Sequence, residues 1–153
     1  MSADAVLRDL LGYRMKRAFA VIQADLAKVL EPFGLRMIPF SALAVIAREP
    51  GIGQGALAAA LAIERSNLVA PLDALEGRGL IRREAVPGDR RALALKPTPA
   101  GERLAAAALA AVAAHEARLF SGAVPDDLAA LVRVCAAVEA AAAAAGGEVP
   151  DDA

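Results

Sequence analysis

Apolar side chains recur every three to four residues from Asp4 to Leu30 (Val6, Leu7, Leu10, Leu11, Met15, Phe19, Ile22, Leu26, Leu30), with Arg14, Lys16 and Arg17 between them. That spacing predicts one long amphipathic helix. It stops at Glu31-Pro32-Phe33-Gly34, where proline disfavours a helical residue before it and glycine permits a turn. A second helix is predicted from near Pro39 to Glu49-Pro50-Gly51. Gln54 to Leu61 then reads as a short helix with Leu57 and Leu61 inward, and Ala62-Ile63-Glu64 joins it to an amphipathic segment ending near Gly77-Arg78-Gly79. Two short helices across a tight turn make a helix-turn-helix.

Leu80 to Ala85 and Ala92 to Lys96 suit two short strands around a loop of turn-forming residues, Pro87-Gly88-Asp89-Arg90-Arg91. That hairpin is a wing. Thr98-Pro99 supplies a hydroxyl cap and a first-turn proline for an Ala-rich helix to about Phe120. Gly122 breaks it, and Pro125, Asp126 and Asp127 open a last helix that ends around Gly146-Gly147. The expected fold is mostly α with a small β-hairpin wing, in the order α-α-α-α-β-β-α-α. We expect a single domain over 1–153, with a winged helix-turn-helix lobe at 39–97 and a helical lobe from 3–31 and 99–145.

The second helix of a helix-turn-helix enters the major groove N-terminus first, so its early polar residues reach bases and phosphates. Here these are Arg65, Ser66 and Asn67. Arg bridges guanine acceptors, Asn pairs with adenine, and Ser with the helix-start amides holds a phosphate. Leu68, Leu72 and Leu75 face the core, leaving Ala70 and Ala74 toward DNA. In the wing, Arg91 is expected in the minor groove, oriented by an ion pair to Asp89, with Arg90 on a phosphate. For Arg82 and Arg83 a solvated place on the strand weighs at least as much as a DNA contact. Pro71, inside the second helix, predicts a kink.

Composition changes this picture little. Hydrophobic residues make up 58% of the 153, alanine being the commonest, with 3% aromatics, which favours close-packed helices. The net charge of −1 conceals an asymmetry: residues 121–153 carry −5, leaving +4 on the rest, a modest basic bias. Apolar runs are too short for a membrane span, and the acidic first residues lack the order of a secretory signal, so cytoplasmic residence is the expectation.

Three stretches, LGYRMKRA, IERSNLVAPLDALEGRGLI and PGDRRALALKPTPAGERL, resemble the MarR family of winged-helix regulators. The last is the most specific: Asp89 and Arg91 match the family's Asp-x-Arg wing tip, and Thr98, Pro99 and Gly101 its Thr-Pro-x-Gly helix start. The resemblance implies a homodimer on a palindromic duplex operator, its first and last helices intertwined with the fifth. Leu128, Leu131, Val132, Cys135 and Val138 give a seam for that, although such a stripe also serves packing within one chain.

The family also implies a small-molecule effector between the two lobes. Tyr13, Phe19, Phe33, Met37 and Phe40, with Arg14, Arg17 and Arg36, are the candidates, core packing being the plainer role for at least half of the bulky ones. EPFGLRMIPFSALAVI followed by IERSNLV is similar to the branch that answers to hydroxycinnamoyl-CoA thioesters, which implies an aromatic acyl-CoA.

Rival functions find less support. The lone His115 has no companions at metal-ligand spacing and no nucleophile to activate, so a helix-surface or interface role leads and a ligand contact follows. Cys135 in an apolar stripe reads as an inert thiol. No phosphate loop, nucleophile elbow or carboxylate pair argues for an enzyme, and no cofactor or metal is expected. A winged helix serving protein interaction without sequence-specific DNA binding is the alternative that the weak basic bias keeps open.

Overall fold

The computed structural model describes residues 3–86 and 89–144, and of residues 89–92 only the backbone. Helix α1 (Leu11–Leu30) ends in a 3-10 turn (Glu31–Phe33) closed by Gly34 at φ +62°, and α2 (Met37–Arg48) follows. Then come strand β1 (Ile52–Gly53), α3 (Gln54–Ala60), a 3-10 turn (Arg65–Leu68) running into α4 (Val69–Gly77), strands β2 (Ile81–Val86) and β3 (Asp89–Pro97), α5 (Pro99–Leu119) and α6 (Pro125–Ala144). Helix α2 is central: Ala42, Leu43 and Ile46 are fully buried, and it packs against α1, α4 and α5. Leu30, Leu57, Leu68, Leu72, Leu75, Ile81 and Leu95 complete the core around it, so every element from the end of α1 to β3 contributes one apolar stripe.

Three expectations need correction. The first helix does not begin at Asp4: Ala5–Leu7 form a 3-10 turn and Leu10 is extended at ψ 121°, so α1 starts at Leu11. The cause is side-chain chemistry. The Asp4 carboxylate accepts from Arg8 Nε at 3.1 Å, Tyr13 Oη at 2.9 Å and Arg17 Nη1 at 2.8 Å, drawing the first residues back alongside the helix. The sheet has three strands in the order β1-β3-β2, because Ile52 and Gly53 pair antiparallel with Leu95 and Ala94. Asp89, Arg90 and Arg91 were expected in the loop, yet their backbone belongs to β3. Ala85 pairs with Leu93 and Val86 with Asp89, so the register slips at the outer end of the wing. Pro87, Gly88 and the expected stop at Gly146-Gly147 lie outside the described residues.

The Thr98-Pro99-x-Gly101 start of α5 is a three-way junction. Thr98 Oγ1 accepts from the Gly101 N–H at 3.1 Å and donates to Gly79 O at 2.7 Å, while the Thr98 N–H bonds Leu80 O at 2.9 Å. Gly101 is buried against that same carbonyl: a Cβ there would stand 1.9 Å from Leu80 O. This closeness fixes where the wing leaves the helical body. At the far end, α6 buries none of its residues and leaves Leu131, Val132, Val134 and Val138 exposed, as α1 leaves Leu11, Phe19 and Val21. No single helix among the described residues is long and apolar enough to cross a membrane.

Candidate nucleic-acid interface

The helix-turn-helix turn is built on an unusual residue. Ala62 takes φ +52°, the left-handed region. The Ala62 N–H bonds Ala59 O at 3.2 Å and the Ile63 N–H bonds Ala58 O at 3.1 Å. This is a Schellman closure of α3 with alanine where glycine is usual. Glu64 is extended, and the second helix opens with a 3-10 turn in which the Asn67 N–H bonds Glu64 O at 3.0 Å. The kink expected at Pro71 takes this form. Hydrogen bonding of α type begins only at Val69, so Pro71 falls in the first turn of α4, where a missing N–H leaves no bond unmade.

Arg65, Ser66 and Asn67 stand on that opening turn, all exposed, with no hydrogen-bonding or ionic side-chain partner among the described residues. Leu68, Leu72 and Leu75 are buried beneath them, and Ala70, Asp73 and Ala74 face outward. The backbone of Asp89–Arg91 continues β3; their side chains lie outside the described residues.

Two arginines that the periodicity left unassigned tie this helix down. Arg83 on β2 is not solvated: its side chain is 22% exposed, with Nη2 bonding Asp73 Oδ1 at 2.7 Å, Nη1 bonding Glu76 Oε2, and its backbone N–H bonding Glu76 Oε1 at 3.2 Å. The Asp73 hydrogen bond, then the Glu76 charge, raise the Arg83 pKa above its ordinary value despite partial burial. The acids of α4 are thereby neutralised and the wing is fastened to the helix. Arg82 bonds Glu84 at 2.6 Å, and Lys96 bonds it from β3 at 2.6 Å. Lys96 first, then Arg82, hold the Glu84 carboxyl below its usual range. Arg78, just past α4, donates to Gly34 O at 2.7 Å and Phe33 O at 2.9 Å. Knowing that β2 runs beside α4 would have been needed to see Arg83's role.

A cleft of about 610 Å³ lies between the second half of α1 and the start of α2, walled by Gln23, Leu26 and Ala27 on one side and Leu35, Arg36 and Met37 on the other, with Lys28 at its edge. That volume suits a small-molecule site. The structure sets Arg36 and Met37 in it, while Phe33 and Phe40 pack against the core. Tyr13 and Arg17 are joined to Asp4; the Tyr13 hydroxyl and then the Asp4 charge raise the Arg17 pKa. Arg14 and Phe19 are exposed on α1. A second cleft of about 380 Å³ brings Asp25 and Lys28 of α1 to His115 and Arg118 of α5. His115 is buried, and its Nε2 has no hydrogen-bond partner among the described residues.

Comparison with known proteins bears on this arrangement. The MarR family model matches residues 33–92. A regulatory protein ascribed to the hcr operon of Thauera aromatica is 36% identical over 92 residues, which is 60% of this chain and 55% of that protein's length. The transcriptional repressor CouR bound to a 23-mer DNA duplex aligns with a TM-score of 0.85 at 38% identity, over 91% of this chain and 99% of that one. CouR from Rhodococcus jostii RHA1 bound to p-coumaroyl-CoA aligns with a TM-score of 0.74 at 34% identity, over 84% of this chain and 90% of that one. The chain belongs to the MarR family of winged-helix transcriptional regulators and resembles its CouR members.

Proposed function

We propose that this chain is a homodimeric repressor that reads a palindromic operator in duplex DNA and releases it when an aromatic acyl-CoA thioester enters the cleft between α1 and α2. The observation that carries the DNA reading is the open turn at Arg65, Ser66 and Asn67, exposed and without side-chain partners among the described residues, above a buried leucine face. Arg65 and Asn67 read bases, Ser66 holds a phosphate, and the wing adds Arg91 in the minor groove, Asp89 orienting it and Arg90 on the backbone. Residues 39–97 form the DNA-binding lobe.

The dimerisation lobe comprises 3–31 and 99–145. Its support is the uncovered apolar surface of α6, including Leu131, Val132 and Val138, which α1 and α5 leave unpaired within one chain. For the effector, the support is the apolar cleft with Arg36 and Lys28 at hand for an anionic group, together with the likeness to CouR bound to p-coumaroyl-CoA.

Fluorescence anisotropy with a duplex from the chain's own promoter tests this. Affinity falls steeply with salt, and Asn67→Ala weakens operator binding by about 1–3 kcal/mol while leaving a scrambled duplex unaffected. Equal affinity for both duplexes in the unsubstituted protein would favour the protein-interaction alternative. Unchanged operator affinity at saturating p-coumaroyl-CoA would sink the effector assignment.

A further inference from the structure

We propose that Arg78 is the positioning residue through which an occupied cleft lowers DNA affinity; this rests on the effector reading above. Arg78 is the first residue beyond α4, and its guanidinium holds two consecutive carbonyls, Phe33 O at 2.9 Å and Gly34 O at 2.7 Å. Forked, charge-assisted bonds of this kind are short and geometrically demanding, so they persist only while both carbonyls keep their relative positions. The two acceptors lie 44 and 45 residues away in sequence, on the turn that closes α1. That turn is also a wall of the cleft: Glu31, Gly34, Leu35 and Arg36 all line it. A ligand pressing on this wall therefore presses on the carbonyls that hold Arg78.

From Arg78 the displacement reaches the DNA-reading elements as a unit. The C-terminal end of α4 closes through backbone bonds alone, Arg78 N–H to Ala74 O at 3.1 Å, Gly79 N–H to Glu76 O at 2.8 Å and Leu80 N–H to Leu75 O at 3.0 Å, so the Arg78 side chain is not needed for it. The helix consequently moves without unwinding. Arg83 fastens Asp73 and Glu76 of that helix to β2, so helix and wing turn together. With the cleft empty the fork holds the helix in one orientation relative to α1; with the cleft occupied the displaced carbonyls carry Arg78, and the helix with it, to a second. These are the two arrangements that coupling between separate sites requires.

The experiment measures operator affinity with and without saturating p-coumaroyl-CoA, and thioester affinity for the DNA-free protein by calorimetry, in wild type, Arg78→Ala and Arg78→Lys. The wild-type ratio of operator Kd values with and without thioester should be about tenfold or more, within the usual range of coupling. In Arg78→Ala the ratio falls toward one, while both separate affinities stay within about threefold of wild type. Arg78→Lys behaves like the alanine variant, because an ammonium keeps the charge but cannot fork across both carbonyls. A full ratio retained in Arg78→Ala overturns this inference alone. So does a loss of operator affinity in that variant before any thioester is added, which would make Arg78 part of the DNA-contacting face. A wild-type ratio of one overturns the effector reading and this inference with it.

Discussion

Gly101→Ala puts a methyl group where the structure has a carbonyl. In an ordinary helix this substitution gains roughly 0.5–1 kcal/mol, since alanine is the better helix former. At Gly101 the sign reverses. The new Cβ would lie 1.9 Å from Leu80 O and 2.9 Å from Leu80 C, both backbone atoms. Ordinary carbon–oxygen contact is about 3.3 Å, so the start of α5 and the root of the wing must separate by about 1.4 Å. That oxygen accepts the Thr98 N–H at 2.9 Å, and Thr98 Oγ1 caps the Gly101 N–H at 3.1 Å.

Weakening one backbone bond costs about 0.5–1.5 kcal/mol and losing a cap about 1 kcal/mol. Overpacking adds about 1–3 kcal/mol, so after the helix-propensity gain the net loss is about 3 kcal/mol. For a chain of this size that lowers Tm by roughly 6–12 °C. Thermal denaturation at fixed protein concentration measures it, because the stability of an assembly such as the proposed dimer depends on concentration. Gly55→Ala is the control: a Cβ there meets nothing within 4 Å, and stability should hold or rise. Gly101→Ala melting at or above wild type would refute the close approach and, with it, this account of the Thr-Pro-x-Gly start.

Two further substitutions probe the helix-turn-helix. Arg83→Ala should cost about 1–2 kcal/mol, because its partners are partly exposed and each such pair contributes little alone, and thermal melts will show whether stability falls at all. It should also weaken operator binding by leaving Asp73 and Glu76 uncompensated, a defect that shrinks in high salt; one that persists undiminished would argue against electrostatics. Ala62→Gly relieves a left-handed alanine and should stabilise by up to about 1 kcal/mol after the unfolded-state entropy of glycine is subtracted. A lower urea midpoint for that variant would contradict the strain assigned to the turn.

What the sequence made legible was whatever depended on neighbours along the chain. Pro32 and Gly34, Pro50 and Gly51, Thr98 and Pro99, and Pro125 all punctuate locally, and α1 ends, α2 ends, and α3, α5 and α6 begin close to where they indicate. Burial of Leu68, Leu72 and Leu75 followed from their spacing alone. Strand β1 escaped because two residues carry no periodicity and their partners, Leu95 and Ala94, lie more than forty positions on. The start of α1 escaped because Asp4 chooses it through Arg8, Tyr13 and Arg17, a tertiary contact in all but distance. Of the bulky residues proposed for an effector site, Phe33 and Phe40 pack against the core while Arg36 and Met37 line a cleft, and composition cannot separate those fates.

The second helix of the helix-turn-helix is held by cations engaged within the protein itself. Arg83 grips its acids from the wing and Arg78 ties its end to the α1–α2 turn, whereas Arg65, Ser66 and Asn67 at the other end have no side-chain partner among the described residues. Such a division separates specificity from control. Under the proposed function, changing the free residues should alter which sequence is read, and changing Arg78 should alter how the reading turn answers to the cleft. A ligand in the α1–α2 cleft is remote in sequence from Arg65–Asn67 but lies against the turn that Arg78 grips. Effector response and operator preference are then separable by substitution, so a variant altered at Asn67 should change its preferred operator yet keep its full ratio of affinities with and without the thioester.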